Sequence, residues 1–303
     1  MTCDKTDRKL LVILQNCAKL NINYEKSEVV QTMVRKVTKK DFTKVEKLFE
    51  NWDETMIWSC LQGVMGEIYV AEEKTEPDEY KSAVAVLGAF AFFAGEPNRE
   101  LVLYKPDAYQ GDFVILVPQD PEWEALIEEC YPECNKKVER YALKKEPDTF
   151  DKEKLQKMVE ALPEGYELKV LDESVFEETK RTDWCCDWTA QYPDWATYQK
   201  LGLGVVILKD DQLVSGASSY TSYKRGIEIQ VDTKEEYRRK GLAEICSAKL
   251  ILTCLERGLY PSWDAQNKGS LALAEKLGYR YSHTYTAYEV YMYGKKREFP
   301  CKT

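Results

Sequence analysis

The stretch Val231-Asp232-Thr233-Lys234-Glu235-Glu236-Tyr237-Arg238-Arg239-Lys240-Gly241-Leu242-Ala243 decides how this chain is read. Just before it, Ile227-Glu228-Ile229-Gln230-Val231 alternates apolar and polar residues as a strand does. Just after it, an apolar helical pattern runs from Leu242 to Arg257 and stops at Gly258. Strand and helix are thus joined by a short basic loop with one glycine. The first turn of a helix offers unpaired N–H groups and about half a positive charge. Gly241 removes the side chain that would obstruct close approach, and Arg238, Arg239 and Lys240 add cationic density. Such a loop suits a diphosphate. Alone, an Arg-x-x-Gly run reads more readily as a solvated charge cluster and a turn, so its neighbours must support the sharper reading.

They do so downstream. Trp263-Asp264-Ala265-Gln266-Asn267-Lys268-Gly269-Ser270 puts Asn267 at a strand end with Ser270 three residues on, and Leu277-Gly278-Tyr279 closes the helix that follows. With both segments in register, the sequence resembles the GNAT superfamily of acyl-CoA-dependent N-acetyltransferases. Arg238 to Ala243 is similar to the family's Q/R-x-x-G-x-G/A loop, with Ala243 in place of the last glycine, and Asn267 to Tyr279 is similar to its second motif. The resemblance spans roughly residues 165–291. It extends to the zwittermicin A-resistance-type subgroup, whose members carry an extra N-terminal lobe.

The resemblance implies acetyl-CoA as co-substrate and a small-molecule amine as acceptor, with no metal. Backbone groups of Val231, Asp232 and Thr233 would run beside the pantetheine arm, and Arg238, Arg239, Lys240, Gly241, Leu242 and Ala243 would cradle the diphosphate. Asn267, with Ser270 beside it, would reach the pantetheine or the thioester end. Glu228, on the strand that presents the thioester, is the candidate general base; the competing reading leaves it in solvent beside Arg225. The tyrosine that many members place in the last helix is replaced by Ala274, so the general acid is unassigned, with Tyr281 and Tyr285 the nearby hydroxyls. Trp184 to Tyr198, rich in aromatics and bearing Asp187 and Asp194 with Asp183 just before it, reads as core or as the floor of an acceptor site. Besides a small-molecule acetyltransferase, a silent acyl-CoA-binding protein and a protein N-acetyltransferase fit the same motifs.

Working outward, the fold class is a mixed α/β, mostly antiparallel sheet with helices, in two lobes. Residues 1–32 read as an N-terminal extension, 33–146 as a smaller α/β lobe, either a degenerate GNAT half or an unrelated α/β lobe, and 147–303 as the acetyltransferase domain. In the N-terminal lobe Met33 to Val37 reads as a strand, Asp41 as a helix cap, Ala83 to Phe93 as a hairpin or long strand, and Phe113 to Val117 as a buried strand. The segment set against the diphosphate loop there is Pro118-Gln119-Asp120-Pro121-Glu122, which has no glycine and two acids.

Composition narrows the functions further. The 303 residues are 44% hydrophobic and 31% charged, as globular chains are, and no apolar run is long enough to span a membrane. A formal net charge of −9 argues against broad nucleic-acid binding. The acidic N-terminus lacks the basic region of a secretion signal, so a cytoplasmic location is expected. Ten cysteines contain no C-x-x-C pair, and Cys246 and Cys254 read as small core residues. A single histidine, His283, excludes multi-histidine metal sites and leaves Cys-His or Ser-His catalysis without a motif.

Overall fold

One order of elements, used twice, builds the molecule. The computed structural model describes residues 33–72, 80–106, 113–133 and 135–291. The first pass runs β1 (Met33–Lys36), α1 (Phe42–Glu46), α2 (Thr55–Leu61), β2 (Glu67–Glu72), β3 (Ser82–Leu87), β4 (Phe90–Gly95), α3 (Arg99–Leu103), β5 (Phe113–Pro118), α4 (Pro121–Cys130) and β6 (Asn135–Leu143). A connecting helix, α5 (Lys152–Glu160), leads into the second pass: β7 (Tyr166–Val170), α6 (Glu173–Thr179), α7 (Trp195–Leu201), β8 (Gly204–Lys209), β9 (Gln212–Tyr223), β10 (Gly226–Thr233), α8 (Leu242–Glu256), β11 (Tyr260–Ser262), β12 (Asp264–Ala265), α9 (Lys268–Leu277) and β13 (Tyr281–Tyr291).

Local chemistry accounts for the junctions. Asp210 and Asp211 both take positive φ, 49° and 60°, which makes the β8–β9 link the tight hairpin its acidic dipeptide suggests. Side chains of Asp120, Asp151, Asp172, Asp194 and Asn267 accept from backbone N–H groups and cap α4, α5, α6, α7 and α9. Asp41 does not cap α1. It accepts from the Thr38 hydroxyl at 3.1 Å and pairs with Lys44 instead. Strand β2 is an addition to the sequence reading, and Ala83 to Phe93 is a hairpin that turns at Gly88.

The sheets run β1-β2-β3-β4-β5-β13-β6-β12 and β11-β10-β9-β8-β7. Among the described residues, only β4–β5 and β10–β11 pair in parallel. The last described strand, β13, therefore lies in the N-terminal sheet, between β5 and β6. The expected division at residue 146 separates the two passes in sequence, but β12 and β13 cross back over it. Each sheet is covered on both faces by apolar side chains. Helix α8 is buried along most of its length, with Cys246 and Cys254 as core residues.

The two passes differ where it matters. In the first, β5 stays paired to β4 from Phe90↔Ile115 through Phe93↔Pro118, near the carboxyl end of β4. In the second, β11 pairs with β10 only from Gly226↔Tyr260 to Glu228↔Ser262. The chain then leaves, and β12 pairs with β6 of the other sheet. The carboxyl half of β10 faces an open wedge.

Candidate active site

Which backbone groups face that wedge follows from the ladder. Lys234 N–H donates to the Val214 carbonyl, so Asp232 and Gln230, at the same parity, point their backbone toward β9. Val231 and Thr233 point theirs toward the edge that no strand covers among the described residues. A register shift between Glu228 and Ile229 marks where the wedge begins. The Asp232 carboxylate accepts from Trp188 Nε1 at 3.2 Å and Gln230 Nε2 at 2.8 Å, which makes it a pin for β10. The Thr233 hydroxyl meets Ser215 Oγ at 2.8 Å, and Arg238 Nε donates to the Thr233 carbonyl at 3.3 Å.

The loop ends in two left-handed residues, Arg239 at φ +61° and Gly241 at φ +80°. Gly241 is the N-cap of α8 and supplies no side-chain oxygen, so the first-turn N–H groups of Leu242 and Ala243 have no side-chain cap. A Cβ placed on Gly241 meets no atom within 4 Å. The glycine therefore serves the backbone conformation and leaves open space before the helix. A cavity of about 540 Å³ adjoins it, with Lys154, Lys157 and Lys240 in its lining beside Asp151, Glu153 and Glu244. Lys240 Nζ stands over the Tyr237 ring at 4.6 Å. The sequence reading missed Lys154 and Lys157, which arrive from α5.

Asn267 has a structural task. Its carboxamide oxygen accepts from Ser270 N–H at 2.9 Å, and Ser270 Oγ accepts from Trp263 Nε1 at 3.1 Å. The element match also corrects the comparison made for the N-terminal lobe. Pro118 to Glu122 leads into α4, the counterpart of α9, whereas the counterpart of α8 is α3, a five-residue helix. Asn98 Oδ1 occupies its N-terminus, accepting from Leu101 N–H at 3.1 Å. With β4 and β5 closed together as well, the first pass has neither the wedge nor the open helix end.

A second cavity, of about 560 Å³, lies between the lobes beside the start of the wedge, a size suited to a small ligand. Phe90, Tyr220, Asp187, Gln191, Glu228 and Asp264 are among its lining residues. Glu228 is only 3% exposed, which sets aside the solvated reading. Its Oε2 accepts from the Thr55 hydroxyl at 2.5 Å, while Oε1 is buried with no hydrogen-bond partner among the described residues. Burial pushes the Glu228 carboxyl above the usual range, with the Lys145 ammonium and the hydroxyls of Thr55 and of Ser262, its register partner on β11, opposing. Glu54, beside Thr55, is pushed up to about 8 by burial and by the charge of Glu228. The Arg140 guanidinium is held by Asp264, with Nε to Oδ1 at 2.7 Å, and stacks 4.9 Å from the centre of the Phe90 ring. Tyr285 donates to Asp264 Oδ2 at 2.9 Å. Its phenol is pushed well above the ordinary tyrosine value by burial and by Asp264, with Arg140 opposing, which makes it a poor proton donor. Tyr281 is 41% exposed and engages Thr284. Ala274 is fully buried.

The aromatic segment divides. Cys185, Trp188, Tyr192 and Tyr198 are core, and the Tyr192 and Tyr198 hydroxyls bond to serines of β9. Cys186, Asp187, Ala190 and Gln191 reach the cavity. His283 is an exposed strand residue. No group of three or more candidate metal ligands occurs among the described residues, and no described helix is long and apolar enough to cross a membrane.

A doubled strand–helix order, one parallel pair that splays, and an open helix start beyond it define a tandem-lobed acyltransferase architecture. Residues 46–288 match the family described as GNAT acetyltransferase, and the chain belongs to that N-acetyltransferase family. It is 26% identical over 277 residues to the uncharacterized N-acetyltransferase YdfB of Bacillus subtilis, covering 87% of this chain and 100% of that protein. A GCN5-related N-acetyltransferase-like protein from Streptococcus suis matches at 47% identity and a TM-score of 0.76, covering 83% of this chain and 98% of the other. A tandem GNAT protein from the clavulanic acid biosynthesis pathway matches at 10% identity and a TM-score of 0.51, covering 86% of this chain and 98% of the other, at a level that speaks to the fold alone.

Proposed function

We propose that the protein transfers an acetyl group from acetyl-CoA to the primary amine of a small molecule by direct attack, in the cavity between its lobes. One observation carries the reading: the second pass alone combines a free β10 edge with an uncapped α8 whose glycine opens onto space. Acetyl-CoA supplies an activated thioester carbonyl. N–H groups from Arg239 to Ala243 hold its diphosphate, with Arg238 and Lys240 adding charge. The outward backbone groups of Val231 and Thr233 align the pantetheine arm, and the remaining amide hydrogens of Asn267 are available to it. Residues 33–146 act as a degenerate lobe that closes the acceptor side.

An amine with a pKa of about 10 is neutral in roughly one molecule per thousand at pH 7. Glu228, through Oε1, takes the proton that the amine must lose as its nitrogen bonds to the carbonyl carbon. The Val231 N–H meets the developing oxyanion. When the C–S bond breaks, the thiolate leaves with a pKa of about 8.5 and needs no strong acid, which accommodates Ala274. Six free cysteines among the described residues fit a reducing, cytoplasmic setting. The likeness to zwittermicin A-resistance-type enzymes makes aminated antibiotics the first acceptors to assay, followed by polyamines and amino acids.

Thiol release across that panel, with wild type and Glu228→Gln, is the test. We expect Glu228→Gln to lower turnover by about 10²- to 10⁴-fold while acetyl-CoA still raises its melting temperature. An unchanged rate removes Glu228 from the mechanism. Ala274 gives a second reading some footing: a silent acyl-CoA binder, which would bind acetyl-CoA and turn over none of the panel.

A further inference from the structure

Helix α2 belongs to the first pass, yet it lies across the strands of the second. Ser59 Oγ donates to the Ser222 carbonyl at 2.6 Å, and Lys224 N–H donates to Gln62 Oε1 at 2.8 Å. At its first residue Thr55, 1% exposed, donates to Glu228 Oε2. The preceding residue, Glu54, turns its carboxylate back onto Met56 N–H at 3.1 Å and so fixes the turn that presents the hydroxyl. A carboxylate anchored through one oxygen has its other oxygen set in direction. Here that oxygen, Oε1, is buried without a partner on a residue that lines the interlobe cavity.

We propose that Thr55 is a positioning residue for acetyl transfer: the N-terminal lobe, though it has no cofactor wedge of its own, fixes Glu228 through this hydroxyl so that Oε1 is presented to the acceptor amine. The inference rests on the reading of Glu228 as the base. It explains why a lobe with a closed wedge is retained against the working one. The hydroxyl's hydrogen bond also favours ionised Glu228 against its burial. The other titratable groups around Glu228 are Glu54 from the start of α2, Lys145 beyond β6, Asp264 on β12, and the phenols of Tyr223, Tyr260 and Tyr279. Glu54 adjoins Thr55 and feels the charge of Glu228, so Thr55→Val is also measured in the Glu54→Gln background, where the effect of the hydroxyl on Glu228 is read by itself.

The test uses the full chain. Infrared difference spectra across pH follow the protonated-carboxyl band that Glu228→Gln deletes, and so give the ionisation midpoint of Glu228 without any acceptor. Thr55→Val keeps the volume and removes the donor; Thr55→Ser restores it. We expect the midpoint to rise by about one pH unit in Thr55→Val and to return in Thr55→Ser, because a hydrogen bond to a charged group is worth about that much. With whichever panel amine turns over, the acid limb of kcat/KM should move by the same amount while the Kd for acetyl-CoA stays unchanged. Should Thr55→Val not fold, Thr55→Cys, with its weaker donor, should show an intermediate rise. A midpoint that stays in place in the folded variant overturns the proposal. If instead the midpoint moves but Glu228→Gln retains full turnover, the base reading fails and the proposal falls with it, by a different result.

Discussion

In the proposed mechanism, Gly241 and Glu228 divide the work between backbone and side chain. Gly241 sits at φ +80°, where a Cβ is strained, and faces open space. Gly241→Glu would place a carboxylate before the helix start, against the phosphates. Acetyl-CoA at a hundred times its Kd should stabilise the wild type by about 2.7 kcal/mol, seen as a rise of several degrees in Tm, and Gly241→Glu should show no rise. An equal rise in both would place the diphosphate elsewhere. This residue was legible in the sequence because its signal is local: strand, basic loop, glycine, helix. Thr55, Glu54, Lys145 and Asp264 were not legible as a site. They come from α2, the end of β6 and β12, and no spacing in the chain records that these meet.

Glu54 carries a pH signature at the same scale. Its folded-state pKa, about 8, lies above the ordinary carboxylate value, so between about pH 4.5 and 8 the unfolded chain gives up a proton that the folded protein keeps. Its contribution to stability is whole below that window and is lost on rising through it. Glu54→Gln removes the titration. Relative to wild type, its Tm should therefore climb by several degrees between pH 5 and pH 8 in a thermal melt series, and parallel curves would contradict this.

At the scale of elements, the decisive contrast is between α8 and α3. Both follow the last strand of a meander, but one has fifteen residues and an open N-terminus while the other has five and an Asn98 cap. The sequence set Asp120 against the diphosphate loop because that acidic turn has the more visible helix after it. Only the strand order shows α3 to be the true counterpart. The extent of α9 and of β7 was legible to the residue, since a capping Asn, a closing Gly278 and a clean alternation bound them. The pairing of β12 with β6 was not, since two residues carry no strand signal. That short pair is secured by Arg140 and Asp264, whose side chains are 9% and 4% exposed. Arg140→Met leaves the carboxylate buried and unpaired, which should cost about 3–5 kcal/mol in urea unfolding. A loss below about 1 kcal/mol would show the pair to be dispensable.

Across the whole molecule, β13 makes the two passes one body. That strand fills the N-terminal sheet, β12 joins the sheet at its edge beside β6, and Thr55 at the start of α2 returns the exchange by reaching Glu228. The second pass supplies the wedge, and the first supplies a wall of the cavity and the hydroxyl on the carboxylate. The place of the cofactor decides the rest. A crystal structure with coenzyme A bound should put the diphosphate oxygens within hydrogen-bond distance of the amides of residues 241–243, with the pantetheine along β10 at Val231 and Thr233. A diphosphate found at the start of α3, or away from α8 altogether, would contradict it.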